Sequence, residues 1–218
     1  MRTTLEVPAG TIPLAFDGPK AAPRTIVIAH GAGAGMDHIF MEHMTKGLTG
    51  LGHQVVRFNF RYVEAGKKAP DRQPVLEETY AAVAEHVRSK AKGALVLGGK
   101  SMGGRIASNI AASGTAADGL VFFGYPLHPP GRPERIRDAH LKEITCPMLF
   151  IEGTRDPFCP LDTLKKVLRK VPASTSTHVI EGGDHSFKVP KSSGRSTDEA
   201  WDEVVDAASG FLSELGAG

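Results

Sequence analysis

The feature that most constrains this chain is its repeated change of rhythm between short apolar runs and longer amphipathic segments. "TIVIAH" (25–30), "QVVRFNF" (54–60), "ALVLG" (94–98), "GLVFFG" (119–124), "PMLFIEG" (147–153) and "STHVIEG" (176–182) are short and rich in β-branched and aromatic residues. They read as buried strands. Between them, helical spacing runs over 39–51, 74–91, 102–113, 161–171 and 197–215. In the second of these, Leu76, Tyr80, Val83 and Val87 recur at i+3 and i+4 while Glu77, Glu78, Glu85 and Arg88 take other faces, the pattern of a helix packed on a sheet. Such alternation predicts right-handed βαβ crossovers and a mostly parallel sheet covered on both faces. Ahead of it, "TTLEV" and "TIPLAF" around Pro8, Ala9 and Gly10 predict an antiparallel N-terminal hairpin. The segments 61–73 and 125–140 read as irregular surface.

At 218 residues, 41% of them hydrophobic, the chain is expected to form one domain, 1–218, with no large cap. Lys and Arg number 26 against 24 Asp and Glu, so a net charge of +2 gives no electrostatic reason to expect nucleic acid or an anionic membrane as partner. The two cysteines, Cys146 and Cys159, have neither metal nor redox spacing. The N-terminus lacks an apolar signal region, and no stretch approaches the roughly 20 apolar residues of a spanning helix. A cytoplasmic protein with reduced thiols is the expectation.

In an open α/β sheet, chemistry collects at the carboxyl ends of the strands. At one such end stands "GGKSMGGR" (98–105), where Gly99, Ser101 and Gly103 match G-x-S-x-G, a strained strand-to-helix turn that exposes a serine. Glycines here also suit a phosphate cradle, but the Walker spacing is absent. A serine hydroxyl is a weak nucleophile without a histidine base and a carboxylate behind it. "GTRDPF" puts Asp156 past the strand at 147–153, and "GGDHSF" puts His185 past the strand at 176–182. Asp162 and Asp184 are the rival acids. The loop "AHGAGAGMD" (29–37) offers the Ala32 amide, beside that of Met102, as an oxyanion hole, with His30 bracing the loop.

With these four loops in the order serine, aspartate, histidine, the chain resembles the α/β-hydrolase superfamily, and most nearly the small hydrolases related to dienelactone hydrolase. The resemblance spans nearly the whole chain. It implies an α/β-hydrolase fold, a triad at Ser101, Asp156 and His185, and an oxyanion hole at Ala32 and Met102. It also implies a small-molecule acyl substrate, an acyl-serine intermediate and no metal or organic cofactor. Dienelactone hydrolase itself uses a cysteine, so its substrate is not carried over. Phe158 and Tyr125, with Met102 and Leu127, are the candidate pocket residues, whereas Lys100 is expected to expose its side chain and His128 and His140 to be polar surface. A non-catalytic scaffold and an acyltransferase remain open as alternatives, and the sequence leaves the oligomeric state undetermined.

Overall fold

The computed structural model describes residues 1–215. Eight strands form one sheet: β1 (Arg2–Val7), β2 (Gly10–Asp17), β3 (Arg24–Ala29), β4 (Gln54–Phe58), β5 (Ala94–Lys100), β6 (Gly119–Phe123), β7 (Met148–Gly153) and β8 (Thr175–Ile180). Their spatial order is β1-β2-β4-β3-β5-β6-β7-β8. Strands β1, β2 and β4 pair antiparallel, and every pair from β4 through β3 to β8 is parallel. The helices are α1 (Ile39–Gly50), α2 (Arg61–Glu64), α3 (Gln73–Arg88), α4 (Met102–Ala112), α5 (Leu161–Leu168) and α6 (Thr197–Glu214). No described helix is long and apolar enough to cross a membrane.

Strand alternation divides the core in two. Val27, Leu97, Phe122 and Phe150 face α3, α4 and α5, whereas Ile26, Ile28, Val96 and Val121 face α1 and α6. Period-two patterning with a buried residue on both sides is what a doubly covered sheet demands. Leu76, Tyr80, Val83 and Val87 of α3 are all buried, as their spacing requires. The α6 helix begins at a capping box in which Ser196 and Glu199 satisfy each other's backbone N–H.

Two expectations change. Strand β8 is the sheet edge rather than a buried strand, and Ser176, Thr177 and Val179 are exposed. The segment 61–73 carries the one-turn helix α2, and a 3-10 turn, Ala139–Glu143, follows the loop after β6. Runs this short have too few residues for periodicity to register.

Central strands β3 and β5 are neighbours, with Ala29 opposite Gly99. The glycine loop after β3 and the serine after β5 therefore leave the sheet side by side. The ends of β7 and β8 lie on the same edge, because those strands run parallel to β5 and β6.

Candidate active site

Ser101 sits between β5 and α4 at φ 52, ψ −115, outside the ordinary regions for a side-chain-bearing residue. Close packing enforces this turn. A Cβ on Gly103 would lie 2.3 Å from Ala29 O, and one on Gly99 would lie 2.5 Å from the same oxygen. Only glycine lets α4 approach the strands so closely. Ser101 does not cap α4 with its side chain.

Its Oγ lies instead 2.8 Å from His185 Nε2. The other ring nitrogen, Nδ1, is 2.6 Å from Asp156 Oδ2, and the Asp156 side chain is fully buried. A carboxylate only accepts, so Nδ1 carries the proton, and Nε2 is left to accept from the serine hydroxyl. Asp156 is fixed in turn by the Phe158 N–H, which donates to Oδ1 at 2.8 Å. The edge-on Phe158 ring, 4.7 Å from the His185 ring, closes one side of the imidazole.

The rival acids do other work. Asp184 Oδ1 accepts the N–H groups of Ser186 and Lys188, which folds the His185 loop tightly enough to force Phe187 to φ 60. Trp201 of α6 donates Nε1–H to Ser186 O and holds that loop from outside. Asp162 lies in the first turn of α5, where a carboxylate favours the helix dipole.

Ala32 lies in a turn closed by Ala34 N–H donating to Gly31 O, with Gly33 at φ 73. That bond leaves the Ala32 amide unused by the turn. The Met102 amide opens α4 and has no intrahelical acceptor. Behind the loop, buried His30 donates Nδ1–H to Gly31 O at 2.8 Å and accepts Phe60 N–H at Nε2 at 3.2 Å. Burial lowers its pKa to about 4, against the opposing pull of the Gly31 carbonyl, so the ring is neutral and its tautomer is set.

A cavity of about 370 Å³ opens at Ser101 and His185, walled by Ala32, Ile39, Phe40, Met41, Phe158 and Trp201. Four of these, Ile39, Phe40, Met41 and Trp201, were not legible as pocket residues, because helical spacing assigns them to packing. Tyr125 and Leu127 do not line the cavity. Both are fully buried, and the Tyr125 ring packs on Phe122 and Phe150 in the core cluster of the opposite face. Its hydroxyl bonds Ser108 at 2.9 Å and His140 at 3.1 Å, so His140 is a core partner rather than free surface, and His128 is buried too. The Met102 side chain packs against that same cluster. Lys100 also departs from expectation, because its Nζ is buried.

A family model for the alpha/beta hydrolase domain matches residues 22–213. Among solved structures, a serine hydrolase without a lid from Xanthomonas campestris superposes with a TM-score of 0.77 at 22% identity, covering 100% of this chain and 96% of that one. Dienelactone hydrolase from Anabaena variabilis gives 0.76 at 16% identity, covering 99% and 97%. Est1E from Butyrivibrio proteoclasticus with bound ferulic acid gives 0.78 at 16% identity, covering 98% of each chain. The mostly parallel sheet, the strained serine turn between β5 and α4 and the family match over residues 22–213 agree: this chain belongs to the alpha/beta hydrolase family.

Proposed function

We propose that the protein is a serine hydrolase that cleaves a small ester, thioester or related acyl bond through an acyl-serine intermediate. One observation carries the reading: Ser101 Oγ, His185 and Asp156 form an unbroken hydrogen-bonded chain at the mouth of a cavity. Ser101 Oγ bonds to the acyl carbon while its proton passes to His185 Nε2, and Asp156 supports the imidazolium so formed. The Ala32 and Met102 amides hold the oxyanion. His185 returns the proton to the departing alcohol or thiol as the bond to it breaks. Water then enters, gives its proton to Nε2 and attacks the acyl carbon. The acid leaves as Ser101 regains its proton.

The cavity lies at the lower end of ordinary ligand pockets, about 300–1,000 Å³, which favours a compact acyl group. We read the chain as one domain without a cap, and Phe158 as a residue that both walls the pocket and orients Asp156. The likeness to Est1E makes esters of aromatic acids reasonable first substrates to assay.

Labelling with a fluorophosphonate and mass spectrometry of the modified peptide tests activation and location together. Modification of Ser101, abolished in Ser101→Ala along with turnover, is the expected result. Labelling that persists at another serine in that variant refutes the assignment.

A further inference from the structure

Beneath the triad lies a second set of buried polar groups that the proposed mechanism does not use. Lys100 lines the floor of the cavity, yet its Nζ turns inward and is buried. The place where a Cβ on Gly124 would stand is 2.9 Å from Lys100 Nζ, 3.1 Å from His185 O and 3.4 Å from His185 Nδ1. The missing side chain at Gly124 therefore leaves a space that the Lys100 ammonium and His185 both border. Phe187 offers Nζ its ring, with the centroid 5.6 Å away.

Glu152 is fully buried beside this pair, and its Oε1 accepts Tyr125 N–H at 2.6 Å. Among the described residues neither Lys100 Nζ nor Glu152 Oε2 has a hydrogen-bond partner, and no ion pair within 4.0 Å joins them. A buried charge without such partners destabilises a fold, and an apolar side chain of the same length would pack without that cost. Packing alone therefore gives no reason for an ammonium at this place.

We propose that Lys100 is a positioning residue whose buried ammonium acts on His185 from below, opposing its protonation and so extending the active range of the site to lower pH. The inference rests on the hydrolase reading for its consequence, but not for the coupling itself.

The surrounding charges fit. Burial lowers the Lys100 pKa from 10.5 to about 8, against the opposing pull of Asp156, Glu152 and Asp184, so it is still cationic at neutral pH. Burial raises the Glu152 carboxyl well above its usual range. The Tyr125 N–H works against that rise, the Asp156 charge adds to it, and Lys100 and the Cys159 thiol pull it back. The remaining titratable groups around the cavity, His38 and Lys188, are exposed, and solvent screens them.

Lys100→Met removes the charge and keeps the length. The acid limb of kcat/KM is expected to move to higher pH by about one unit, as loss of one charge at this range implies. The melting temperature of Lys100→Met at pH 7 should exceed wild type by roughly 5 °C. Because the unfolded chain holds the Lys100 proton up to a higher pH than the folded one, wild type should regain stability on the variant between pH 8 and 10.5. A supporting element with no electrostatic role would melt lower when truncated, so a lower melting temperature, or a variant that fails to fold, overturns the proposal. An unmoved acid limb does too.

Titration of the His185 ring by NMR, assigned by its loss in His185→Gln, reads the coupling without any substrate. A titration that moves with Lys100→Met upholds the coupling even where Ser101 is not labelled, which would sink the hydrolase reading alone. A titration that does not move refutes the coupling whatever the enzyme turns over.

Discussion

His30 makes the stability of this protein depend on pH in a way that can be worked out from its surroundings. The ring is fully buried, donates to Gly31 O, and accepts the Phe60 N–H through Nε2, the atom that would have to take a second proton. Its pKa falls from 6.5 to about 4 on folding. Between those values the unfolded chain binds a proton that the folded one refuses, so stability declines as pH falls through the window and is fully lost from this source below about 4. At 1.36 kcal/mol per unit the difference is about 3 kcal/mol, or roughly 6–12 °C in melting temperature for a chain of this size. The control is His30→Asn, whose amide is able to donate to Gly31 O but does not titrate. It should be less stable at pH 7.5 by about 1–3 kcal/mol, because Phe60 N–H loses its buried acceptor. Urea unfolding of both proteins at several pH values between 7.5 and 4 checks the difference. The two curves should converge as pH falls; parallel curves would show that the His30 proton is not excluded by the fold.

Three further outcomes are expected. Asp156→Asn should lower kcat by about 10²- to 10⁴-fold, because an amide no longer demands a proton on His185 Nδ1, whereas Asp184→Asn should act mainly through loosening of its loop; a crippled Asp184→Asn beside a near-normal Asp156→Asn would reverse the assignment. Ser101→Gly should be more stable than Ser101→Ala by about 1–2 kcal/mol, since both lack the hydroxyl and only alanine has to endure the positive φ; equal melting temperatures would deny that the turn is strained. Across p-nitrophenyl esters, kcat/KM should peak at short acyl chains and decline well before about twelve carbons, where the cavity would be outgrown; a steady rise to palmitate would refute the compact pocket.

The parts of this molecule that were legible in the sequence are those that local spacing dictates. Short runs of β-branched and aromatic residues gave the parallel strands, alternation gave the N-terminal hairpin, i+3 and i+4 spacing gave α3, and glycines flanking Ser101 and preceding Ala32 marked turns that only small residues allow. The partners of Ser101 were legible because each follows a strand end, and parallel strands put all such ends on one edge. Side-chain direction was not legible. Tyr125 and Phe158 both follow strands, yet one enters the core face opposite the cavity and the other reaches it. Phe40 and Trp201 carry ordinary helical spacing and become pocket walls only because α1 and α6 pack together beside the His185 loop, which Trp201 holds through Ser186 O. Lys100 misled for a related reason: alternation along β5 says which face a residue takes, but the space that admits its ammonium belongs to Gly124, at the end of a neighbouring strand.

The costs this fold carries are not scattered. Ser101 and Phe187 are the two non-glycine residues with positive φ among the described residues; Ser101 lines the cavity that Lys100 also lines, and Phe187 stands between two other lining residues, Ser186 and Lys188. Each lowers stability by an amount that surrounding packing has to offset. A binding scaffold of the same shape gains nothing from a strained serine, because an alanine on a relaxed turn would hold the sheet and helices equally well. A hydrolase does gain, since the strained turn holds Oγ 2.8 Å from His185 Nε2. The concentration of strain and buried charge at one strand edge thus weighs for catalysis over scaffolding independently of which residues stand there.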